Sequence, residues 1–302
     1  QTVNSYRWAD GGRTTRLADL LVGLDAIDGL DRIRFVTNYP RDMTDELIHA
    51  VRDLPKVCHY LHVPAQHGSD DVLKRMKRGY TIGEYLEMHG RLMEAIPHAA
   101  VTSDFIVGFC GETDDEFQLM LDLVQKLQFK NSFIFKYSPR PGTKAFQRQP
   151  DDVPEDVKKA RHRLLLDAQT EASLAGNLPL VGSRQQVLVE GLSRRDEKRA
   201  AAGEAEAETA DGTVQLSGRT MCDRIVVFDA PRRLIGRLVD VDILAAGPWA
   251  VSGALARAGS ELPQFAAEPE VHTISLPLAG GGNRASESTA ADQPQAGHAH
   301  HA

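Results

Sequence analysis

The sequence predicts an α/β protein: a mainly parallel sheet packed with helices, followed by a small all-β barrel. Short apolar runs alternate with amphipathic helical runs between residues 32 and 143, as they do in proteins built from βα units. A Lys-, Arg- and Leu-rich helical run covers residues 155–174. Short β-type runs separated by polar turns then follow up to residue 255. About five strands in about 70 residues suit a barrel of the OB-fold size.

In the first part, strands and helices are predicted from residue type and periodicity. Helices are predicted over 44–54 and from Thr81 and Thr113, each of which has a Glu three residues later that completes a capping box. In parallel sheets, open or closed into barrels, ligands lie at the carboxyl ends of the strands. The loops that follow the strands are therefore the candidate sites. The predicted strands are 33–36, 60–63, 101–109 and 132–138.

The second part divides into a connecting helix, the small barrel and a tail. An Ala- and Glu-rich stretch from 200 to 212 predicts a solvated loop within the barrel, and the tail, dominated by Ala, Gly, Ser, Gln and Pro, predicts disorder. The predicted barrel strands are 186–189, 214–216, 224–228, 238–243 and 251–255. The predicted domains are 1–150, a connecting helix over 151–180, the small barrel over 181–255, and the tail over 256–302.

Composition limits the classes of protein. A net charge of −7 and a pI of about 5.9 argue against a generic, strongly basic nucleic-acid binder, although a local basic patch remains possible. The sequence has no run of about 18 apolar residues, so it predicts no membrane span. Cys58, Cys110 and Cys222 are scattered and odd in number. They predict no disulfide framework and no metal site within this chain, and they favour a reducing, cytoplasmic location.

The loop after the second predicted strand contains Gln66, whose amide can donate and accept hydrogen bonds. Ser69 follows at a position that suits the cap of the next helix. Arg78, at the far end of that helix, could hold a carboxylate through two hydrogen bonds. A capped helix with a solvated basic face would explain the same residues without any ligand.

Two further loops carry candidate binding residues. Asp104 lies in a strand that runs into a Gly-x-x-Gly turn at Gly108, which suits a ribose diol and an adenine against exposed backbone. A βα turn with a structural aspartate is the alternative. In the run 138–143, two prolines and a glycine fix the loop and would hold Arg140 at the mouth of a cavity. An ordinary turn with an exposed arginine is the alternative there.

Taken together and in this order, these segments resemble the radical S-adenosylmethionine (SAM) methylthiotransferases. The resemblance implies the C-terminal part of a radical SAM βα barrel followed by a TRAM-like RNA-binding barrel. The segments that carry the barrel resemblance are 1–6, 37–40, 61–69, 76–80, 104–113 and 137–143. Those that resemble the TRAM domain are 190–191, 216–220 and 224–228.

The resemblance assigns roles by position. It implies that Gln66 and Asp104 contact the SAM ribose, that Arg78 binds the methionyl carboxylate, and that the turn at Gly108 lines the adenine; Ser69 belongs to the same predicted SAM site. Where the family commonly has Ser and Pro, this chain has His67 and Cys110, and His67 could alter the SAM pocket. The predicted RNA contacts, for which plain surface charge is the alternative, are Arg140, Arg194, Arg195, Arg219 and Arg224.

The run 138–143 resembles the MiaB-type branch, whose substrate is N6-isopentenyladenosine beside the tRNA anticodon. The family reduces SAM to a radical that takes a hydrogen from the adenine, and a methylthio group is added at that carbon. The family needs two 4Fe-4S clusters, and neither set of cysteine ligands is present here. Both sets are expected before Gln1, so this chain alone is expected to be inactive. The alternatives are a ribosomal-protein methylthiotransferase and a noncatalytic RNA-binding remnant.

Overall fold

The computed structural model describes residues 2–202 and 212–256. The helices of this part are α1 (Leu17–Asp25), α2 (Asp45–Asp53), α3 (Asp70–Arg75), α4 (Ile82–Ala95), α5 (Asp114–Leu127), α6 (Lys144–Arg148), α7 (Glu155–Asn177) and α8 (Arg194–Ala201). The strands are β1 (Arg7–Asp10), β2 (Arg13–Arg16), β3 (Tyr60–His62), β4 (Ala100–Val107), β5 (Asn131–Lys136), β6 (Arg184–Leu192), β7 (Thr213–Thr220), β8 (Ile225–Pro231), β9 (Leu238–Ala246) and β10 (Val251–Leu255).

Strands β3, β4 and β5 form a parallel sheet in that order. Alternate residues of β4 point to opposite faces, and Val101, Phe105 and Val107 are buried in the main core beneath the helices. On the other face, Phe133 and Phe135 of β5 are each more than half exposed. The sheet is thus packed on one side and largely open on the other.

The predicted helix starts are confirmed in atomic detail. Thr81 accepts from the Glu84 amide while the Glu84 carboxylate accepts from the Thr81 amide, and Thr113 and Glu116 make the same reciprocal pair. These bonds satisfy two of the amides that a helix start otherwise leaves unpaired. The predicted helix 155–174 is also confirmed as α7, which continues three residues further.

The predicted strand over 33–36 is wrong. Only Ile33 pairs, in an isolated parallel bridge to Val57, and the segment forms no continuous ladder. The arginines that flank Ile33 are drawn away to the small barrel: Arg32 donates to the carbonyls of Arg219 and Gln186, and Arg34 pairs with Asp223. Those contacts join residues more than 150 positions apart, which local sequence preferences cannot anticipate.

The structure adds elements that the sequence did not indicate. Strands β1 and β2 form an antiparallel hairpin followed by α1. Helix α8 ends at Ala201, so the predicted loop over 200–212 begins later than expected. The rest of that predicted loop, residues 203–211, lies outside the described residues. The predicted disordered tail also lies outside them except for residue 256.

The predicted small barrel is confirmed as a closed five-stranded barrel in the order β10-β8-β7-β6-β9. Inward residues of each strand form its core, with Leu216, Val226 and Val241 fully buried. At Gly218 any Cβ would overlap the backbone carbonyl of Leu188. The close approach of β6 and β7 therefore requires glycine at this position.

The two domains meet through the loop between β7 and β8. Its Met221 and Cys222 pack on Cys58, Tyr60 and Ala100 at the amino-terminal edge of the parallel sheet. Asp223, the next residue of the loop, is also buried. Its carboxylate accepts hydrogen bonds from Arg34, Lys130 and Arg219. The small barrel is thus fixed to the sheet by both apolar contact and ion pairs.

Among the described residues, no helix is both long enough and apolar enough to cross a membrane.

A buried histidine makes the main core sensitive to acid. His89 of α4 is 8% exposed and packs edge-on against Phe129, and burial lowers its pKa to about 4. Below about pH 6.5 this histidine binds a proton in the unfolded chain but stays neutral in the folded chain. The free energy of unfolding should therefore fall by up to about 3 kcal/mol as the pH drops from 6.5 to 4.

Urea unfolding of His89→Met across this pH range tests the prediction. The variant should lose most of that dependence, because methionine has no proton to bind. His49→Met, which removes an exposed imidazole and leaves the core intact, is the matched control. If His89→Met kept the full acid-induced loss of stability, the dependence would have to arise elsewhere.

Candidate functional site

Gln66 lies near the carboxyl end of the sheet, beside β4, where it forms an isolated parallel bridge with Phe105. Its amide donates to the Asp104 carbonyl at 2.8 Å, and its carbonyl accepts from the Ile106 amide at 3.0 Å. Its φ of 67° places a non-glycine residue in the left-handed region, a conformation that the two flanking bonds enforce. The side-chain amide makes no hydrogen bond within the described part of the chain, although the residue is only 9% exposed. It is a polar group held in place and ready for a ligand.

Asp104 lies on the open face of the sheet beside His62. The Nε2 of His62 lies 3.4 Å from an Asp104 carboxylate oxygen, and its Nδ1 lies 3.0 Å from the Thr102 hydroxyl. Because the ring is fixed on both sides, it holds the Asp104 carboxylate toward the open face. The sequence analysis missed His62. Its position two residues after Tyr60 in a strand already predicted could have placed it on the same face as Asp104.

The turn from Gly108 to Glu112 is organised by a buried carboxylate. Glu112 accepts from the Gly108 amide at 2.9 Å, from His67 at 2.9 Å and from Arg161 of α7 at 2.8 Å. The side chains of Glu112 and His67 have no exposed surface. We call Glu112, His67 and Arg161 the buried triad. It fixes the turn that the sequence predicts to lie against the adenine.

His67 therefore points into the protein. Its second ring nitrogen accepts from the Ser69 amide at 3.0 Å, and its Nε2 faces Glu112. Ser69 caps α3 as predicted, with its hydroxyl accepting from the Val72 amide. The predicted contact of Ser69 with SAM stays a prediction, and so does an effect of His67 on the SAM pocket.

Gly108 contacts α7 as well. With its φ of 70° it lies against the aliphatic chain of Lys158, which occupies the space that a Cβ would need. Lys158 is itself buried and pairs with Asp151. The predicted contact of Gly108 with adenine stays a prediction. The contact with Lys158 is by itself a structural reason for glycine at this position.

A pair of alanine substitutions separates strain from crowding at this turn. Gly111 has nearly the same φ, 71°, with open space where a Cβ would lie. Gly111→Ala should therefore cost about 1–2 kcal/mol through left-handed strain alone. Gly108→Ala should cost at least about 1 kcal/mol more, because Lys158 must move. Denaturant unfolding measures both values, and equal costs would show that Lys158 yields freely.

Arg78 follows the end of α3, where Lys77 has a φ of 59° and the Arg78 amide donates to the Leu73 carbonyl. Its guanidinium is exposed and makes no ion pair among the residues that the structure describes. It borders a cavity of about 260 Å³ next to Ile106, Phe109 and Tyr137. Lys77, Lys144 and Arg148 line the same cavity. This arrangement suits a small ligand with a carboxylate.

The five predicted RNA contacts fall into two groups. Arg140, Arg194 and Arg195 are exposed, and Arg195 pairs with its neighbour Asp196. The other two guanidinium groups already have partners within the chain. Arg219 pairs with Glu190 and Asp223, and Arg224 donates to Asn177. A role of these two in RNA binding stays a prediction.

The three cysteines do not form a metal centre. Cys58 and Cys110 are buried, and burial raises the pKa of the Cys58 and Cys222 thiols. Cys110 packs against Val72 and Phe109, as a packing residue would. Within residues 2–202 and 212–256, no three side chains of the metal-binding types lie together. The described residues therefore do not fit an iron–sulfur cluster, and no step is derived through one.

Comparison with known proteins gives one family match and many relatives. The Radical SAM superfamily model matches residues 6–124. The chain is 54% identical over 243 residues to a tRNA-2-methylthio-N(6)-dimethylallyladenosine synthase of Rhodopirellula baltica, which covers 80% of this chain and 49% of that protein. It is 42% identical to the enzyme of the same name from Moorella thermoacetica, over 84% of this chain and 53% of that one.

The chain spans about half the length of the curated relatives that it matches. Among solved structures, coproporphyrinogen III oxidase from Escherichia coli, a radical SAM enzyme, matches 63% of this chain and 46% of its own. The TM-score is 0.39 at 16% identity, too low for the match to inform the site. The sequence relatives confirm the resemblance drawn from the motifs.

Proposed function

We propose that this chain, whose residues 6–124 match the Radical SAM superfamily model, forms the SAM rim and the RNA-binding barrel of a tRNA methylthiotransferase. The whole protein would add a methylthio group to N6-isopentenyladenosine beside the anticodon of tRNA. The curated relatives are named for a 2-methylthio-dimethylallyladenosine product, which supports this substrate. The observation that carries the proposal is the buried side-chain amide of Gln66, which makes no hydrogen bond among the described residues. Its backbone bonds to Asp104 and to Ile106, which lines the cavity that Arg78 borders.

The described residues fit SAM. The buried amide of Gln66 can donate to and accept from a ribose hydroxyl, and the Asp104 carboxylate can accept from one. Arg78 offers a free guanidinium for the methionyl carboxylate. Bound SAM would supply the reactive adenosyl group for the chemistry of the whole protein. This chain's residues would bind SAM, fix its ribose and shield the adenine with the turn held by the buried triad.

The proposed role of the clusters lies outside the present chain. The family resemblance implies two 4Fe-4S clusters with cysteine ligands. We place those ligands in the half of the relatives' length that this chain does not match. A cytoplasmic location, where cluster cysteines stay reduced, goes with this proposal.

SAM binding by the present chain tests the rim. Equilibrium dialysis with labelled SAM should show binding that weakens at least about tenfold in Gln66→Ala or Arg78→Gln, since each removes a buried or charge-assisted hydrogen bond. Arg163→Gln, which alters an exposed arginine of α7 that pairs with Asp167, is the control. Equal SAM affinity in all four proteins would refute the assignment of the rim.

The activity is tested by completing the chain. A fusion to the preceding residues of the Rhodopirellula baltica relative, reconstituted anaerobically with iron and sulfide and supplied with SAM and dithionite, should release 5′-deoxyadenosine and methylthiolate isopentenylated tRNA. Mass spectrometry of the tRNA nucleosides scores the product. If the fusion binds iron yet modifies a ribosomal protein instead, the tRNA substrate is wrong. If a folded fusion binds RNA but no iron, the chain is an RNA-binding remnant.

A further inference from the structure

A second cavity, of about 460 Å³, lies between the sheet and the small barrel. We call it the interdomain cavity. Tyr60 and Asn131, the first residues of β3 and β5, form one side, and the β7–β8 loop and the turn before β10 form the other. It lies at the amino-terminal edge of the sheet, opposite the rim of Gln66. Its volume falls within the range of about 300–1,000 Å³ typical of ligand pockets.

The charge of the interdomain cavity is strongly positive. Of the carboxylates, only that of Asp223 lines it among the described residues, and Glu190 pairs with Arg219 from outside. Among these residues the positive charges therefore outnumber the carboxylates by three, and Asp223 is shared by Arg34, Lys130 and Arg219. The cationic residues that line the cavity are Arg34, Lys130, Arg194, Arg219 and Arg224.

Burial and the excess of positive charge make the protonated form of Lys130 less stable. Burial lowers the pKa of its ammonium to about 8, and Arg219 and Arg224 act in the same direction while Asp223 opposes them. Burial likewise lowers the pKa of Arg224. Positive groups crowded together in a partly desolvated cleft favour the entry of an anion, which relieves their repulsion.

The remaining wall is apolar and aromatic. Phe133 and Trp249 line the cavity together with Val36, and Phe133 is 54% exposed. A small inorganic anion would gain no favourable contact from this apolar wall. Aromatic side chains next to Lys and Arg are the combination that binds nucleotides of single-stranded nucleic acid, because bases stack while phosphates pair with the cations.

The open face connects this cavity to the SAM rim. Phe133 is the direct neighbour of Asp104 across β4 and β5, so the aromatic wall begins one strand spacing, about 5 Å, from that carboxylate. A chain bound in the cavity can therefore continue along the open face toward the rim.

We propose that the interdomain cavity binds one nucleotide of a single-stranded RNA, with its phosphate between Lys130 and Arg194 and its base against Phe133 or Trp249. Only the choice of RNA as the source of the phosphate rests on the proposed function. When the cavity is empty, Asp223 serves as the internal counter-ion of Lys130. Arg194 lines the cavity, is exposed and makes no ion pair within the described residues, so it can meet the incoming phosphate.

Tryptophan fluorescence reports on the cavity directly. The sequence has two tryptophans, and Trp8→Phe, at an exposed position of β1, leaves Trp249 as the only one. Titration with single-stranded hexaadenylate at low salt should change the Trp249 emission saturably. Millimolar inorganic phosphate should compete, whereas adenosine without a phosphate should bind much more weakly than the hexanucleotide.

Two variants with little structural cost test the two halves of the site. Arg194→Gln should reduce the slope of log affinity against log salt by roughly 0.7, the value for one lost phosphate contact on a single strand. Phe133→Ala should weaken binding at least about fivefold through lost stacking. Arg163→Gln, at an exposed arginine of α7 that pairs with Asp167, is the control and should leave both quantities unchanged.

The outcomes separate the sources of the phosphate. Unchanged hexanucleotide binding in both variants overturns the proposal, and so does adenosine binding as tightly as hexaadenylate. A saturable change of Trp249 emission with inorganic phosphate, but none with hexaadenylate, identifies a free-phosphate site and overturns the assignment to RNA. The titration needs neither SAM nor iron. Intact nucleotide binding in a fusion that fails to methylthiolate tRNA would therefore fault the proposed function and leave this inference standing.

Discussion

Glu112→Ala should lower the free energy of unfolding by about 3–5 kcal/mol, because it leaves the buried guanidinium of Arg161 without its inner partner. Arg161 would keep its bond to the backbone carbonyl of residue 112 and its ion pair with Asp114, whose side chain is 95% exposed. The same substitution removes the acceptor of the Gly108 amide and of His67. The turn at the SAM rim should then lose its fixed shape, so SAM binding should weaken together with stability.

Chemical unfolding and SAM dialysis measure the two effects. Glu87→Ala removes an exposed carboxylate from α4 and should change stability by no more than about 0.5 kcal/mol. The double variant Glu112→Leu with Arg161→Met should be more stable than Glu112→Ala, since no buried charge remains unpaired. A double variant that is no more stable than the single one would show that the ion pair is not the cause.

Asp223→Ala should be comparably severe, at about 3–5 kcal/mol, because Lys130 and Arg219 lose their shared carboxylate at the domain junction. Burial alone would raise the pKa of Asp223, but Lys130, Arg219 and Arg34 outweigh burial and hold it below its usual range. A carboxylate with a lowered folded pKa stabilises the protein above its unfolded pKa of about 4. The cost of the substitution should therefore be full at neutral pH and fade as the pH falls below about 4.

Unfolding curves at pH 7 and pH 3.5 test this dependence. Asp229→Ala, at an exposed position of neighbouring β8, removes the same group without a buried partner and should cost less than about 0.5 kcal/mol. If Asp223→Ala cost as little as the control at pH 7, the three cations would have to be satisfied by solvent. Should the variant fail to fold, Asp223→Asn retains an acceptor and gives a smaller loss that can be measured.

Local signals predicted most of the elements. The capping boxes at Thr81 and Thr113 and the apolar runs of β3, β4 and β5 depend on residues close in sequence, so the sequence shows them directly. The segment 33–36 has the same β-type composition, yet it forms only one bridge. Its flanking arginines bond to the small barrel, and no local pattern encodes a partner that far along the chain.

The site shows the same division. The motifs predicted Gln66, Arg78 and Asp104 as SAM-binding residues by resemblance, and that role stays a prediction. The buried triad was missed because Arg161 reaches Glu112 across 49 residues, from a helix whose sequence predicts only a connection. His62 was missed although its strand was predicted. The interdomain cavity depends on the docking of two domains and has no signature in either of them.

During synthesis the small barrel can dock on the sheet only after the ribosome has made the β7–β8 loop. Arg34 and Asp223 are 189 residues apart, and a ribosome adding about 5–20 residues per second needs roughly 10–40 s to pass from one to the other. During that interval the nascent sheet keeps Cys58 and Tyr60 uncovered and Lys130 without its counter-ion. Slow translation of the second half would prolong this exposed state, so the yield of folded protein should depend on how quickly the ribosome reaches the end of β10.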